Sequence, residues 1–185
     1  MKKEIQYIGI KGIVTVRRYK AGTVEKAREI LAIHGKFATD KINKLFAENF
    51  LGIGARNSNL IVSSSNHGRN IIAQQLGGVT TYALPITYAE MGTGSTTPSN
   101  SDTALTTAVA RQSVDAVTIA NNVVDLQFFF SDGVLPNGTY NEFGTFCVGT
   151  SSLGSGQLFN HALFSPSYVK TSGEDTTIDV EFTIN

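Results

Sequence analysis

The fold is decided most clearly by the last run of the chain, Thr177-Ile178-Asp179-Val180-Glu181-Phe182-Thr183-Ile184. Apolar and polar residues alternate strictly along it, and a period of two predicts a β-strand with one buried and one exposed face. The residues expected to point inward are Ile178, Val180, Phe182 and Ile184, and those expected to point outward are Thr177, Asp179, Glu181 and Thr183.

Similar short runs precede it throughout the C-terminal part of the chain. They are separated by turn residues such as Asp132-Gly133 and Pro136-Asn137-Gly138. Asn121-Asn122 predicts a hairpin turn, and the run that follows has apolar residues on both faces, which predicts that the hairpin is covered on both sides. The other strands are predicted over residues 82–88, 114–119, 123–130, 140–148 and 157–164. Six short strands at this spacing predict an antiparallel β-sandwich-like domain.

The N-terminal part of the chain predicts a mixture of strand and helix. Residues 5–19 predict one or two strands interrupted at glycines, and helical spacing predicts helices from Thr23 and over about residues 39–50, with a third within residues 66–78. Residues 51–59, rich in Gly and Asn, predict a break. We therefore expect a mainly β protein, α+β overall, with an N-terminal segment 1–58 that is a candidate docking arm and a β-sandwich-like domain over residues 59–185.

The composition agrees with short strands joined by tight turns. Of the 185 residues only 16% are charged, and 18 are glycine. Cys147 is the single cysteine, so the chain can form neither an intrachain disulfide nor a paired-thiolate metal site. Charged residues interrupt the first apolar run, so neither a signal peptide nor a membrane span is predicted. We expect synthesis in a reducing cytoplasm.

The charge is unevenly distributed although the net charge is zero. Residues 1–60 contain 12 Lys/Arg and 5 Asp/Glu, a balance of +7, whereas residues 61–185 contain 3 and 10, a balance of −7. A basic segment could meet nucleic acid or the acidic part of another copy, or could simply be a solvated face. Aromatic residues do not interleave with the basic ones, which argues against single-stranded nucleic acid.

The most distinctive run, Met91 to Arg111, is a loop rich in Gly, Ser and Thr that leaves one predicted strand and returns to another. Its Gly92-Thr93-Gly94 has neither the third glycine of a dinucleotide fingerprint nor the Lys of a phosphate loop, so no nucleotide site is predicted. Asp102 could cap a short helical turn through Ala108. Arg111 could bond loop carbonyls or an acidic group such as Glu142, anchoring the loop to the sheet.

No other set of residues has the spacing of a catalytic or metal site. His34, His67 and His161 are far apart and are predicted to be surface or loop residues. The Ser63-Ser64-Ser65 run lacks the frame of a nucleophile elbow. The carboxylates that could be cast as a glycosidase pair mostly adjoin turn residues, where they ordinarily cap backbone amides; they are Asp102, Asp125, Asp132 and Glu142. We predict no catalytic, cofactor-binding or metal-binding residues.

The run from Tyr88 to Arg111, with its Gly-Thr-Gly, Pro98, Asp-Thr-Ala-Leu and final arginine, resembles a motif of tailed-bacteriophage virion proteins. The resemblance extends to Asn137-Gly138-Thr139 and Glu142-Phe143-Gly144, and covers roughly residues 59–185. It implies a non-enzymatic, mostly β-rich subunit that assembles symmetrically with copies of itself and with other virion proteins. It also implies no small-molecule substrate, no membrane partner, and a location in the virion after synthesis in the bacterial cytoplasm.

The resemblance leaves the position on the particle open. The helical insert and the absence of a fibre-like repeat favour a compact tail, baseplate or fibre-adaptor component over a distal shaft. A capsid-decorating or head–tail neck protein is an alternative within the same class. A receptor- or carbohydrate-binding tip, with Tyr82, Tyr88 and Tyr140 stacking on sugars, is another, and a tail-attached cell-wall hydrolase is the enzyme alternative.

Overall fold

Nine antiparallel strands form one curled sheet, a half-barrel, and three helices pack around it in the part of the chain that the structure describes. The structure is a computed structural model that describes residues 9–34 and 39–185, with 49% of residues in strands and 17% in helices. The strands are β1 (Ile10–Lys20), β2 (Phe50–Ile61), β3 (Ile86–Gly92), β4 (Ala108–Ser113), β5 (Ala116–Ala120), β6 (Val123–Phe130), β7 (Gly138–Cys147), β8 (Gln157–Lys170) and β9 (Glu174–Ile184). The helices are α1 (Thr23–His34), α2 (Thr39–Asn49) and α3 (Arg69–Leu76).

The strand order is β4-β3-β7-β8-β2-β1-β9-β6-β5, with β4 and β5 at the two edges. Strand β2 pairs with β1 along most of its length and with β8 at Leu60 and Ile61, so the sheet is continuous through it. The two ends of the sheet face each other across the core, where the rings of Phe128 in β6 and Phe143 in β7 lie 6.3 Å apart. The prediction of a mainly β, antiparallel fold is confirmed, and its facing layers are two ends of one sheet.

Strand β9 lies between β1 and β6 and confirms the alternation that predicted it. Its inward residues Ile178, Val180 and Phe182 are buried in the core, but Ile184 is half exposed at the strand end. Two residues expected to point into solvent, Thr177 and Asp179, are also buried. That expectation was wrong because the outer face of β9 is itself covered, by α1 along part of its length and by the side chain of Arg17, which pairs with Asp179.

Helices α1 and α2, both predicted from helical spacing, pack on the outer face of the sheet against β9 and β1, and they reach the β5–β6 hairpin at Phe129. Val24, Ala27 and Ile42 surround Phe129, which is almost fully buried beneath them. The prediction that this hairpin is covered on both sides is confirmed at Phe129. The buried carboxylate of Asp175 accepts a hydrogen bond of 2.8 Å from the backbone N–H of Val24 at the start of α1, which ties this helix to the sheet.

The predicted break over residues 51–59 is wrong, because those residues form most of β2. The glycines that suggested a break have a packing role: a Cβ at Gly54 would lie 2.5 Å from the ring of Tyr168. The predicted boundary between residues 58 and 59 falls inside β2, so both proposed segments contribute to one sheet. Strand β3 begins at Ile86, later than predicted, and residues 5–8 of the first predicted strand lie outside the described residues.

Candidate functional site

The Met91–Arg111 loop lies over the outer face of the half-barrel and is held there by a cluster of three charged side chains. Glu142 in β7 and His161 in β8 are diagonal neighbours on that face, since Gly144 is the residue paired with His161. Asp102 comes from the loop itself. His161 Nδ1 lies 2.7 Å from Asp102 Oδ2, and His161 Nε2 lies 3.1 Å from Glu142 Oε2. The imidazole therefore bridges a loop carboxylate and a sheet carboxylate.

The carboxylate of Glu142 is fully buried, at 0% exposure, yet all of its acceptor positions are used. Its Oε1 accepts hydrogen bonds from the backbone N–H groups of Gly94 (3.0 Å) and Thr107 (2.7 Å). Its Oε2 accepts from the N–H of Thr106 (3.0 Å) as well as from His161. A carboxylate has about four lone-pair sites, so this one is saturated. Both ends of the loop, at residues 94 and 106–107, are bonded to a single side chain.

The Gly92-Thr93-Gly94 run has its explanation here. A Cβ at Gly92 would lie 2.6 Å from Glu142 Oε1, and one at Gly94 would clash with the same oxygen more closely still. Only glycine allows the backbone to approach the carboxylate this closely. The run therefore cradles an anion, but the anion belongs to the same chain.

The protonation of the cluster follows from these bonds. Burial by itself raises the pKa of Glu142, but the hydrogen bonds from His161 and from the amides of Thr107 and Thr106 outweigh burial and lower that pKa to about 2. Burial lowers the pKa of His161, but its bonds to Glu142 and Asp102 outweigh burial and raise that pKa above 6.5. The favoured state is an imidazolium between two carboxylates, in which both ring nitrogens donate.

A second buried ion pair lies beside the first and holds a different loop, residues 148–156. Arg111 in β4 pairs with Glu90 in β3, directly across the sheet, and the side chains are 2% and 0% exposed. Arg111 also donates to the carbonyls of Thr150 (2.7 Å) and Ser155 (2.6 Å). Glu90 Oε1 also accepts from the N–H of Gly154 at 2.6 Å.

The guanidinium of Arg111 also lies over two aromatic rings. Its central carbon lies 4.8 Å from the ring centroid of Tyr88 and 4.7 Å from that of Phe146. The plane of the guanidinium is thus fixed while its edge bonds the loop, which a lysine could not reproduce. A Cβ at Gly149 would lie against the guanidinium, so this loop also depends on a glycine.

The structure brings two of the three predicted loop anchors together. Asp102 and Glu142 belong to one cluster, although they meet through His161, whereas Arg111 pairs with Glu90 and anchors the neighbouring loop. The predicted helical turn after Asp102 is wrong: residues 103–107 are not helical, Ala108 already begins β4, and Asp102 instead accepts from the N–H of Ser99 at 2.8 Å.

Two residues of these clusters were missed from sequence. His161 was expected on the surface or in a loop, but it is a buried residue of β8. The available signal was its place inside a predicted apolar strand, because a buried imidazole requires polar partners. Glu90 had a similar signal, as an acidic residue within the run that leads into the glycine loop.

As arranged, these side chains bond loops to the sheet. Within residues 9–34 and 39–185, no group of three or more His, Cys, Asp or Glu side chains is placed to hold a metal ion. Cys147 is buried, which raises the pKa of its thiol to about 12. None of the described helices is long and apolar enough to cross a membrane.

Comparisons of the chain with protein-family models, curated proteins and solved structures found no match.

Replacing Gly94 with Ala tests whether the close approach of the loop backbone to the Glu142 carboxylate stabilises the fold. The added Cβ would clash with Glu142 Oε1, and we expect the free energy of unfolding to fall by about 1–3 kcal/mol, as for other overpacked sites. Gly133→Ala is the matched control, because a Cβ there would have no neighbour within 4 Å. Guanidinium unfolding of the two variants provides the measurement, and equal stabilities would show that the close approach to Glu142 does not matter.

Replacing Arg111 with Ala tests the second ion pair. The substitution leaves Glu90 buried without its cation, so we expect a loss of about 3–5 kcal/mol in the free energy of unfolding. Arg56→Ala, at an exposed position of β2, should change stability by no more than about 0.5 kcal/mol. Arg111→Lys should remain clearly destabilised, because it keeps the charge but loses the fork. A stability of Arg111→Ala equal to that of Arg56→Ala in urea unfolding would contradict this role.

The cluster of Asp102, Glu142 and His161 should make the free energy of unfolding fall both at acidic pH and at pH values above the pKa of His161. The folded pKa of Glu142 lies below its ordinary value of 4.5, so its contribution is present above pH 4.5 and is lost as pH falls towards 2. The folded pKa of His161 lies above 6.5, so its contribution is complete below pH 6.5 and is lost as pH rises through the folded pKa.

Comparison of the wild type with Glu142→Gln isolates the acid limb of this dependence. The difference in free energy of unfolding should be largest between pH 4.5 and 6.5 and should shrink steadily towards about pH 2. Urea unfolding at several pH values measures it. A difference that did not change between pH 4.5 and about pH 2 would refute the assignment of a charged Glu142 in the folded state.

Proposed function

We propose that this protein is a non-enzymatic structural subunit of a tailed-bacteriophage virion, which self-associates and docks as a tail, baseplate or fibre-adaptor component. The observation that carries the proposal is the structural role of the motif that resembles one of virion proteins. Its charged residues Asp102, Arg111 and Glu142 are all engaged in internal bonds that hold loops against the sheet. A motif with this role favours a protein whose function is to present surfaces of fixed shape.

The loop held by Glu142 presents such a surface. Residues 95–97, 99 and 100 are exposed and are small polar Ser, Thr and Asn side chains, while Leu105 is buried beneath the loop beside Gly144. The loop is therefore bonded at its base and polar at its tip. A pre-ordered polar loop loses little conformational entropy when it docks, which suits an assembly contact.

Part of the unevenly distributed charge is used within the fold. Three ion pairs join a basic residue of the first 60 to an acidic residue of the remainder within the same chain: Arg17–Asp179, Arg18–Glu174 and Arg28–Asp115. This use of the charge inside the fold leaves less of it for head-to-tail contacts between copies. We therefore assign association chiefly to apolar surfaces, with polar loops supplying specificity.

One of the three tyrosines that the sugar-binding alternative requires on the surface is buried. Tyr140 is 1% exposed, and its hydroxyl donates to the carbonyl of Pro136 at 2.7 Å. Tyr88 has Arg111 over one face of its ring. These contacts match the role of strand residues that pack inside the protein, which favours a structural subunit over a carbohydrate-binding tip.

The proposal is tested on intact particles. Phage particles from the lysate or lysogen that encodes this chain should contain it at a fixed ratio to the major capsid protein in quantitative peptide mass spectrometry. Immunogold labelling should place it on the tail or baseplate. Labelling on the capsid or neck would support the decorating or neck alternative. Absence from purified particles, with the protein present in the lysate, would overturn the proposal.

A further inference from the structure

We infer that strand β5 is a self-association surface, through which two copies of this chain pair edge to edge in an antiparallel manner. The inference rests on the proposed function, because it gives a structural basis for the self-assembly proposed above. It starts from the position of β5, which is the last strand of the sheet and pairs only with β6 among the described elements. No described residue makes a hydrogen bond to the outer edge of β5, so the backbone N–H and C=O groups on that side are available for pairing.

The residues of this edge offer no protection against pairing. The strand is Ala116-Val117-Thr118-Ile119-Ala120, which contains no charged residue and no proline. Val117 and Ile119 are 52% and 74% exposed and lie on the same face of the strand. Natural edge strands are ordinarily blocked by charges, prolines, bulges or covering segments. Within residues 9–34 and 39–185 this apolar edge has none of these features, and we expect another chain to cover it.

An apolar groove lies behind the edge and enlarges the surface. Its volume is about 650 Å³, and one wall is formed by Val117 and Ile119 while the opposite wall is formed by residues 84–86. The chain passes from one edge of the sheet to the other at the corner formed by residues 114–115, where Val114 bonds Thr87 of β3 and Asp115 bonds Gln127 of β6. Beyond that corner the half-barrel is open, and core residues Phe159 and Phe182 form the floor of the groove.

The occupant that fits best is a second copy of the same strand. If two β5 strands pair antiparallel about Thr118, Val117 of one copy lies opposite the partner's Ile119 on the groove side. Four apolar side chains then come together over the two grooves. Strand β5 itself contains no charged residue; of the carboxylates beside it, Asp125 lies across the ladder from Thr118 in β6, and Asp115 bonds Arg28 of its own chain at 3.0 Å. The contact is isologous, as two-fold symmetric dimers require.

Symmetric disulfide trapping in the full chain tests the register. Thr118→Cys places two thiols opposite each other at the two-fold axis, within the separation that a disulfide spans. With oxidised glutathione we expect a disulfide-linked dimer on a non-reducing gel. Ser101→Cys, at an exposed position of the Met91–Arg111 loop, is the control and should form no disulfide-linked dimer on the same gel. Cys147 adds no background, since its thiol is buried and its pKa is raised to about 12.

Charge substitution tests the association itself. Val117→Lys and Ile119→Lys should each weaken the dimer at least about tenfold in sedimentation velocity, because each lysine would bring a charge against an apolar residue of the partner, with the two like charges diagonal to each other near the two-fold axis. Val169→Lys, at a similarly exposed site of β8 (56%), should leave the dimer unchanged. Circular dichroism melting of each variant confirms that it is folded.

A wild type that remains monomeric at the highest concentrations, or Lys variants that dimerise as well as the wild type, would overturn this inference. A Thr118→Cys variant that cross-links no more than the control would also overturn it. These outcomes are distinguishable from failure of the proposed function, because a subunit found in purified particles with β5 unpaired would refute only the inference about β5.

Discussion

The structure of the loop-covered face depends on one buried carboxylate. Glu142 would be expensive to bury without partners, since an uncompensated charge inside a protein costs several kcal/mol. Here three backbone amides and His161 supply four donors, and the amides come from both ends of the same loop. The loop could not move away without leaving the carboxylate unpaired. The free-energy cost of leaving Glu142 without hydrogen-bond partners therefore fixes the position of the loop. Apolar packing contributes less, because a run of Gly, Ser and Thr has little apolar surface to bury.

The ion pair of Arg111 and Glu90 applies the same physical rule to the neighbouring loop. The sequence has few charged residues, and on this face those of the two clusters bond polar loops that packing alone would not fix. Gly144 lies between them, where a Cβ would lie 2.8 Å from Leu158 and 3.0 Å from Leu105. The small residue lets the loop leucine lie against the sheet, so a modest apolar contact supplements the charged ones.

The sequence was sufficient for elements whose signal is local. The strict alternation near Val180 and the helical spacing after Thr23 predicted the strand and helix that the structure contains, and Asn121-Asn122 predicted the hairpin turn. Contacts between distant residues had no such signal. Asp102 and Glu142 were recognised as anchors, but their meeting point, His161, belongs to a strand that nothing local relates to the loop. Non-local pairing likewise explains why the glycines of β2 suggested a break, since the ring that packs over Gly54 comes from residue 168.

The two ends of the sheet differ in a way that bears on assembly. Near β4 the outer face is closed by loops that buried charges hold in place, and polar side chains cover it. At β5 the edge is apolar and uncharged, no segment of the described residues pairs with it, and a groove behind it leads to the core. Monomeric soluble proteins rarely leave an apolar surface of this kind open. In the assembly that we propose, the face whose loops are fixed by buried charges would serve polar docking, and the apolar edge of β5 would be buried against a second copy of the chain.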